Sequence, residues 1–193
     1  NAWDDDETND EQWPYRVKFS GTDLLGNVTI PEGNPTDLET SLEVSLDASS
    51  ESYPLHTFNF LNDGVMEKMA KAFKLQPSEI ASATLEAGVV KAEGFTGPAD
   101  GKVAVGLTNP DGKVSYAYSA NGIGFWIAAD GTASSWGDAP IYYEYDAVGY
   151  GLTVGHNPGH SEKGKTYTIK PTMVYNKGGK LHKAVITIKM KFA

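Results

Sequence analysis

Near the start of the chain Tyr15, Val17 and Phe19 alternate with Arg16 and Lys18, the two-residue period of a half-buried strand. The same alternation returns at Leu42, Val44 and Leu46, after a loop over 31–40 that holds Pro31, Gly33, Asn34 and Pro35. Phe58 and Phe60 give a third short strand, which stops at the turn formers Asn62, Asp63 and Gly64. There the period changes. Val65, Met66, Met69, Ala70, Ala72 and Phe73 recur three and four residues apart, opposite Glu67, Lys68, Lys71 and Lys74, which predicts an amphipathic helix. Pro77 suits the first position of a second helix over 77–83, where Glu79 can reach the open amides of the first turn. The Met and Phe stripe needs a partner surface, so the helix pair is expected to pack on a sheet.

From residue 84 onward the pattern is that of β-structure. Val103, Val105 and Leu107 lead through Asn109-Pro110-Asp111-Gly112 into Val114, Tyr116 and Tyr118, a hairpin signal. Ile123, Phe125 and Ile127 lead into Asp130-Gly131 and a second hairpin returning toward Trp136. Ile141, Tyr143 and Tyr145 follow, then Leu152 and Val154, Tyr167 and Ile169, and Met173 to Tyr175. After a turn at Gly178-Gly179, Ala184, Ile186, Ile188, Met190 and Phe192 share one face of the closing strand. Short strands with regular turns predict an α+β protein that is mainly β: N-terminal strands, a short helix pair and an antiparallel β-sandwich-like C-terminal part. No repeat of fixed period is present. Gly, Pro and Asp concentrate between Gly94 and Gly101, which either marks only a loop or places a division at 13–95 for strands plus helix pair and 96–193 for the sandwich-like domain.

Charge adds a third segment. Residues 1–100 carry 19 acidic and 6 basic side chains, and residues 101–193 carry 6 and 10, within a net −9. Six carboxylates fall among the first twelve residues with few apolar partners, so 1–12 reads as a disordered acidic tether. The later lysines lie along strand-like sequence, where lysine guards strand edges. With the net negative charge this opposes nucleic-acid binding. No apolar run reaches the about 18 residues needed to span a bilayer, and the absence of Cys removes thiolate chemistry and cysteine-bound zinc.

Candidate chemistry concentrates between Asn121 and Asp146, which holds two of the four tryptophans. If Ile123, Phe125 and Ile127 face inward, Gly124, Trp126 and Ala128 face out, and Trp126 stands between small neighbours. A flat aromatic in that setting can lie against the C–H face of a sugar ring while carboxylates and amides bond its hydroxyls. Trp126, Trp136 and Tyr142 are the stacking candidates, with Tyr142 the exposed tyrosine of its strand; Asp130, Asp138, Glu144 and Asn157 are the polar ones. The opposing reading buries Trp126 beneath the helix pair and Trp136 against its hairpin partner. Glu144 and Asp146 share a strand face and raise a glycosidase reading, but no apolar pocket marks either as a raised-pKa acid. His156 and His160 have the spacing of a helical zinc pair, yet Pro158 and Gly159 deny the helix, leaving a polar surface turn. Asp111-Gly112 and Asp130-Gly131 lack the alternating carboxylates of a calcium loop. No metal and no cofactor is expected.

The ordered set Gly122-Ile123-Gly124-Phe125-Trp126, Asp130-Gly131, Ser135-Trp136-Gly137-Asp138, Tyr143-Glu144, Gly155-His156-Asn157-Pro158-Gly159 and Tyr167-Thr168-Ile169 resembles a secreted domain of unknown function common in Bacteroides-type gut bacteria, domain of unknown function 4859. The resemblance spans roughly residues 62–193. Phe125 stands where the family pattern has His, so no histidine role is carried over. The resemblance implies a setting rather than an activity: an outer-membrane surface or periplasmic lipoprotein, its signal and lipidated cysteine absent from this sequence, with glycan or surface polysaccharide as partner and other outer-membrane proteins as neighbours. The acidic Asp4-Asp5-Asp6-Glu7 run looks like the export tag of such lipoproteins. The leading expectation is non-catalytic glycan binding; the alternatives are an adhesive ectodomain that binds protein through a sheet edge and a glycosidase acting through Glu144.

Overall fold

The computed structural model describes residues 16–17, 24–29, 36–49, 55–85, 89–92, 95–117 and 123–193. Strands β1 (Arg16–Val17), β2 (Leu24–Thr29), β3 (Thr36–Leu46) and β4 (Leu55–Asn59) precede helices α1 (Val65–Phe73) and α2 (Pro77–Leu85). Then come β5 (Val89–Ala92), β6 (Phe95–Pro98), β7 (Val103–Thr108), β8 (Lys113–Ala117), β9 (Ile123–Ile127) and β10 (Ala133–Ser134). The chain ends through β11 (Ile141–Asp146), β12 (Gly151–His156), β13 (Thr166–Ile169), β14 (Pro171–Lys177) and β15 (Lys180–Phe192). The architecture is mainly β, with two short helices set against a sandwich-like pair of sheets, as the periodicity predicts.

The larger sheet is organised around β15. Its first half pairs antiparallel with β14 and its second half with β13, while β3 pairs parallel along its opposite edge. β13 and β14 keep one register against β15, since Ile169 faces Ile188 and Thr172 faces Val185. The break between them falls at Lys170-Pro171, where proline has no N–H for a ladder bond. β7, β8 and β2 continue the sheet beyond β14. The turn between β14 and β15 is Gly178-Gly179, both at positive φ (62° and 92°), the two-residue geometry that keeps hairpin twist right-handed.

The smaller sheet runs β10–β9–β11–β12–β4, antiparallel throughout. Its inner face (Phe125, Ile127, Tyr143, Leu152, Val154) meets the inner face of the larger one (Val105, Leu107, Met173, Ile186, Ile188) in one core. Tyr143 crosses that core: its hydroxyl donates to the Gly106 carbonyl at 2.5 Å, tying the two sheets. The helix stripe enters the same core through Val65, Met66, Met69, Phe73 and Ile80, with α1 against β3 and β15 and α2 against β7. Glu79 Oε1 accepts the Gln76 N–H at 2.9 Å, closing the first turn of α2, which runs to Leu85 rather than residue 83. A third, small sheet (β1–β5–β6) lies over the outer face of the larger one, where Val89 and Phe95 pack with Ala104, Val114, Tyr116, Val174 and Leu181.

The expected division at residue 95 does not separate two units. β2 pairs with β8, β3 with β15 and β4 with β12, so strands from before it complete both major sheets. Turn composition alone suggested the boundary, and residues 95–98 are themselves strand. The acidic tether, 1–12, and Tyr118 lie outside the described residues.

Candidate functional site

The outer face of the smaller sheet follows directly from strand alternation. With Phe125 and Ile127 in the core, Gly124 and Trp126 point outward, and cross-strand register sets their neighbours. One row across the face is Ser134, Trp126, Tyr142, Gly155 and Leu55; the next is Gly124, Glu144, Thr153 and Thr57; the third is Asp146, Gly151 and Asn59.

In the first row a Cβ built on Gly155 would lie 2.3 Å from the Tyr142 ring, so the ring rests directly on the glycine backbone. Trp126 leans on that ring, with centroids 5.3 Å apart and planes at 58°. Trp126 thereby gains a rigid seat and keeps part of its surface in solvent. In the second row Gly124 leaves room for the Glu144 stem, whose Cγ lies 3.0 Å from where a Cβ on Gly124 would be. Glu144 is exposed and leans toward the strand that carries Trp126. Beside it the Thr57 and Thr153 hydroxyls bond at 2.8 Å.

Two turns border the end of the sheet nearest Trp126. In the first, Asp130 Oδ1 accepts the Thr132 hydroxyl at 2.6 Å and the Thr132 N–H at 3.0 Å, and these bonds hold the carboxyl below its ordinary 3.8. The second carries Trp136, 57% exposed, and the exposed Asp138, whose N–H donates to the Ser135 carbonyl at 3.0 Å. The His160 ring lies 6.3 Å from Trp136. Asn157 Nδ2 donates to the carbonyls of Trp136 (2.9 Å) and Ala139 (2.7 Å), holding this turn against the end of β12.

Trp126 and Glu144 are therefore diagonal neighbours on the open face. Trp136 and Asp138 share the turn before β11, and the Asp130 turn lies against the larger sheet, where a Cβ on Gly131 would stand 3.2 Å from the Thr168 carbonyl oxygen and the Ala133 N–H donates to Asn109 Oδ1. Trp126 lies on the side of the sheet away from the helices, not beneath them. Three expectations are corrected. Tyr142 is only 9% exposed, because its ring is laid down on Gly155 and edged by Trp126; it supports the stacking residue instead of being one. Asn157 is 1% exposed and its Nδ2 is spent on clamping the Trp136 turn while its Oδ1 is buried, so it is not an open ligand contact. His156 is fully buried on the inner face, bonded to Ser161 Oγ and packed near Phe192, since it continues the inward alternation of β12; only His160 belongs to a surface turn. The places of Thr57, Thr153 and Gly155 on this face are not legible in the sequence, because only cross-strand register reveals that they adjoin Glu144 and Tyr142. Among the described residues no three His, Asp or Glu side chains converge on a point that could hold a metal ion.

The face is electrostatically one-sided. Neither Lys nor Arg occurs at residues 19–67 or 114–162, so β4, β9 to β12 and the turns joining β9 through β12 carry none, while eight lysines fall within 163–191.

Comparison with protein families matches residues 52–180 to the family described as Domain of unknown function (DUF4859). Neither the curated proteins nor the solved structures give a match.

Proposed function

This chain belongs to the family described as Domain of unknown function (DUF4859), and on that premise we propose that it is a non-catalytic glycan-binding module acting at a bacterial outer surface or in the periplasm. The observation that carries the reading is Trp126, part-exposed on a sheet face and braced by a tyrosine that itself rests on glycine backbone. A braced ring loses little freedom when a sugar stacks on it, which favours binding by few contacts. The Thr57–Thr153 hydroxyl pair and Glu144 supply donors and acceptors within the adjacent row, and Trp136 offers a second aromatic surface at the sheet end. Glu144 and Asp146 are both exposed, and Asp146 Oδ1 already accepts the Val148 N–H at 3.0 Å, so neither carboxyl sits in the dry setting that general-acid chemistry needs.

Stacking on one aromatic is worth about 1–3 kcal/mol in the base-stacking analogy, so affinities in the micromolar to millimolar range are expected, as suits a surface-displayed, multivalent module. A glycan array probed with wild type, Trp126→Ala and Trp136→Ala tests the reading. Saccharide binding lost or weakened at least fivefold in Trp126→Ala supports it. Absence of saccharide binding by the wild type removes it and favours the adhesive ectodomain. Turnover of a bound glycan, abolished by Glu144→Gln, would make the domain a glycosidase.

A further inference from the structure

We infer that the Trp126 face selects uncharged and amino-bearing saccharides against anionic ones, with Glu144 as the discriminating side chain; the inference rests on the glycan-binding reading above. The electron-rich face of the indole itself favours a cationic substituent over an anionic one, and the groups around the ring act in the same direction.

Those groups are uniform in sign. Glu144 occupies the row beside Trp126, leans over Gly124 toward the tryptophan's own strand, and is exposed. Asp146 follows two residues later on the same face, and Asp138 is exposed in the turn that carries Trp136. No Lys or Arg stands on this sheet or on the turns joining β9 through β12 to answer them. The two lysines that follow β12 in sequence are directed elsewhere: Lys165 pairs with Glu162 at 3.8 Å, and Lys163 acts on Asp47 beyond the end of β3.

A uronate, sulfate or phosphate group brought to Trp126 would thus enter a field of carboxylates without the Arg or Lys that recognition of such anions requires. A neutral hydroxyl, by contrast, can donate to Glu144 and exchange bonds with the Thr57–Thr153 pair, and an ammonium substituent adds direct attraction. For an exposed pair at contact distance that attraction amounts to about a fivefold gain in affinity at low salt, fading as ionic strength rises.

The test compares oligosaccharides of matched length on one array: neutral glucans and mannans, amino-bearing chitosan oligomers, and anionic galacturonate and sulfated chains, each probed with wild type, Trp126→Ala and Glu144→Gln at low and at physiological salt. The expected result is Trp126-dependent binding confined to the neutral and amino-bearing sets. Glu144→Gln should lower binding of amino-bearing chains about fivefold more than that of neutral ones and narrow the discrimination against anionic chains. Because Glu144 is exposed, the variant should keep the wild-type circular dichroism and melting temperature. Trp126-dependent binding of anionic chains would overturn the selectivity while leaving the glycan-binding reading in place. A charge preference unchanged in Glu144→Gln would remove Glu144 from it. No saccharide binding at all would overturn both.

Discussion

Gly155 and Gly106 both lack space for a methyl group, but the obstacles differ. At Gly155 the contacts are Cε1, Cζ and the hydroxyl of Tyr142, at 2.3–2.4 Å, the far end of a side chain that can swing away. At Gly106 the contact is the Ser115 carbonyl oxygen at 2.6 Å, fixed in the next strand. Gly155→Ala should therefore fold with a small loss of stability but unseat Tyr142 and Trp126, seen as altered tryptophan emission and easier iodide quenching. Gly106→Ala should lower the unfolding free energy by about 1–3 kcal/mol in urea titrations, because backbone must move. Asp130 provides a second residue-scale expectation. Its carboxyl is held below the ordinary 3.8 by the Thr132 hydroxyl and then the Thr132 amide. A lowered folded-state pKa means that the turn's contribution is complete above the ordinary carboxylate range and is lost as pH falls through the folded value. A carboxyl carbon NMR titration should give Asp130 a midpoint below 3.8, and Thr132→Val should raise it.

Two neighbours on β11 make a contrast at the level of the element. Tyr143 and Tyr145 both point into the core, and burial pushes both phenols upward. Tyr143 donates to the Gly106 carbonyl across the sandwich, whereas the buried Tyr145 hydroxyl has no hydrogen-bond partner among the described residues. Tyr143→Phe should cost about 1 kcal/mol or somewhat more, and Tyr145→Phe should be neutral or stabilising, since it removes a desolvated group that makes no bond. Chemical denaturation of the two variants decides this. Elements are also the scale at which the sequence was most legible. The two-residue period located β4, β7, β9, β11, β15 and the second half of β3, whose first residues, 36–40, read as loop because Pro and Gly precede them. The three-and-four spacing located α1, and Gly178-Gly179 marked its hairpin, because each signal is local. The outward placement of Trp126 followed from the same alternation. Tyr142 was misread because its exposure depends on Gly155, thirteen residues away in the chain and directly opposite in register. Asn157 was misread because its partners, the carbonyls of Trp136 and Ala139, are backbone atoms of a turn whose position no local pattern encodes.

For the whole molecule the decisive feature is that the sheets are shared between early and late segments, which is why a boundary drawn from Gly and Pro content near residue 95 failed. The span matched by the family, 52–180, omits both β3 and nearly all of β15. A fragment cut to that span would lose the strand around which the larger sheet is built and expose the cores of Met173, Ile169 and the α1 stripe. It should show no cooperative thermal transition, while a chain running from residue 36 to 193 should recover one; differential scanning calorimetry distinguishes the two. Since β15 supplies the bonding edges for β3, β13 and β14, vectorial synthesis on the ribosome delivers this keystone after the other strands of its sheet. β3 and β13 must wait for it, so although β14, β7, β8 and β2 can pair with one another beforehand, the larger sheet is completed only once residues 180–192 have been made.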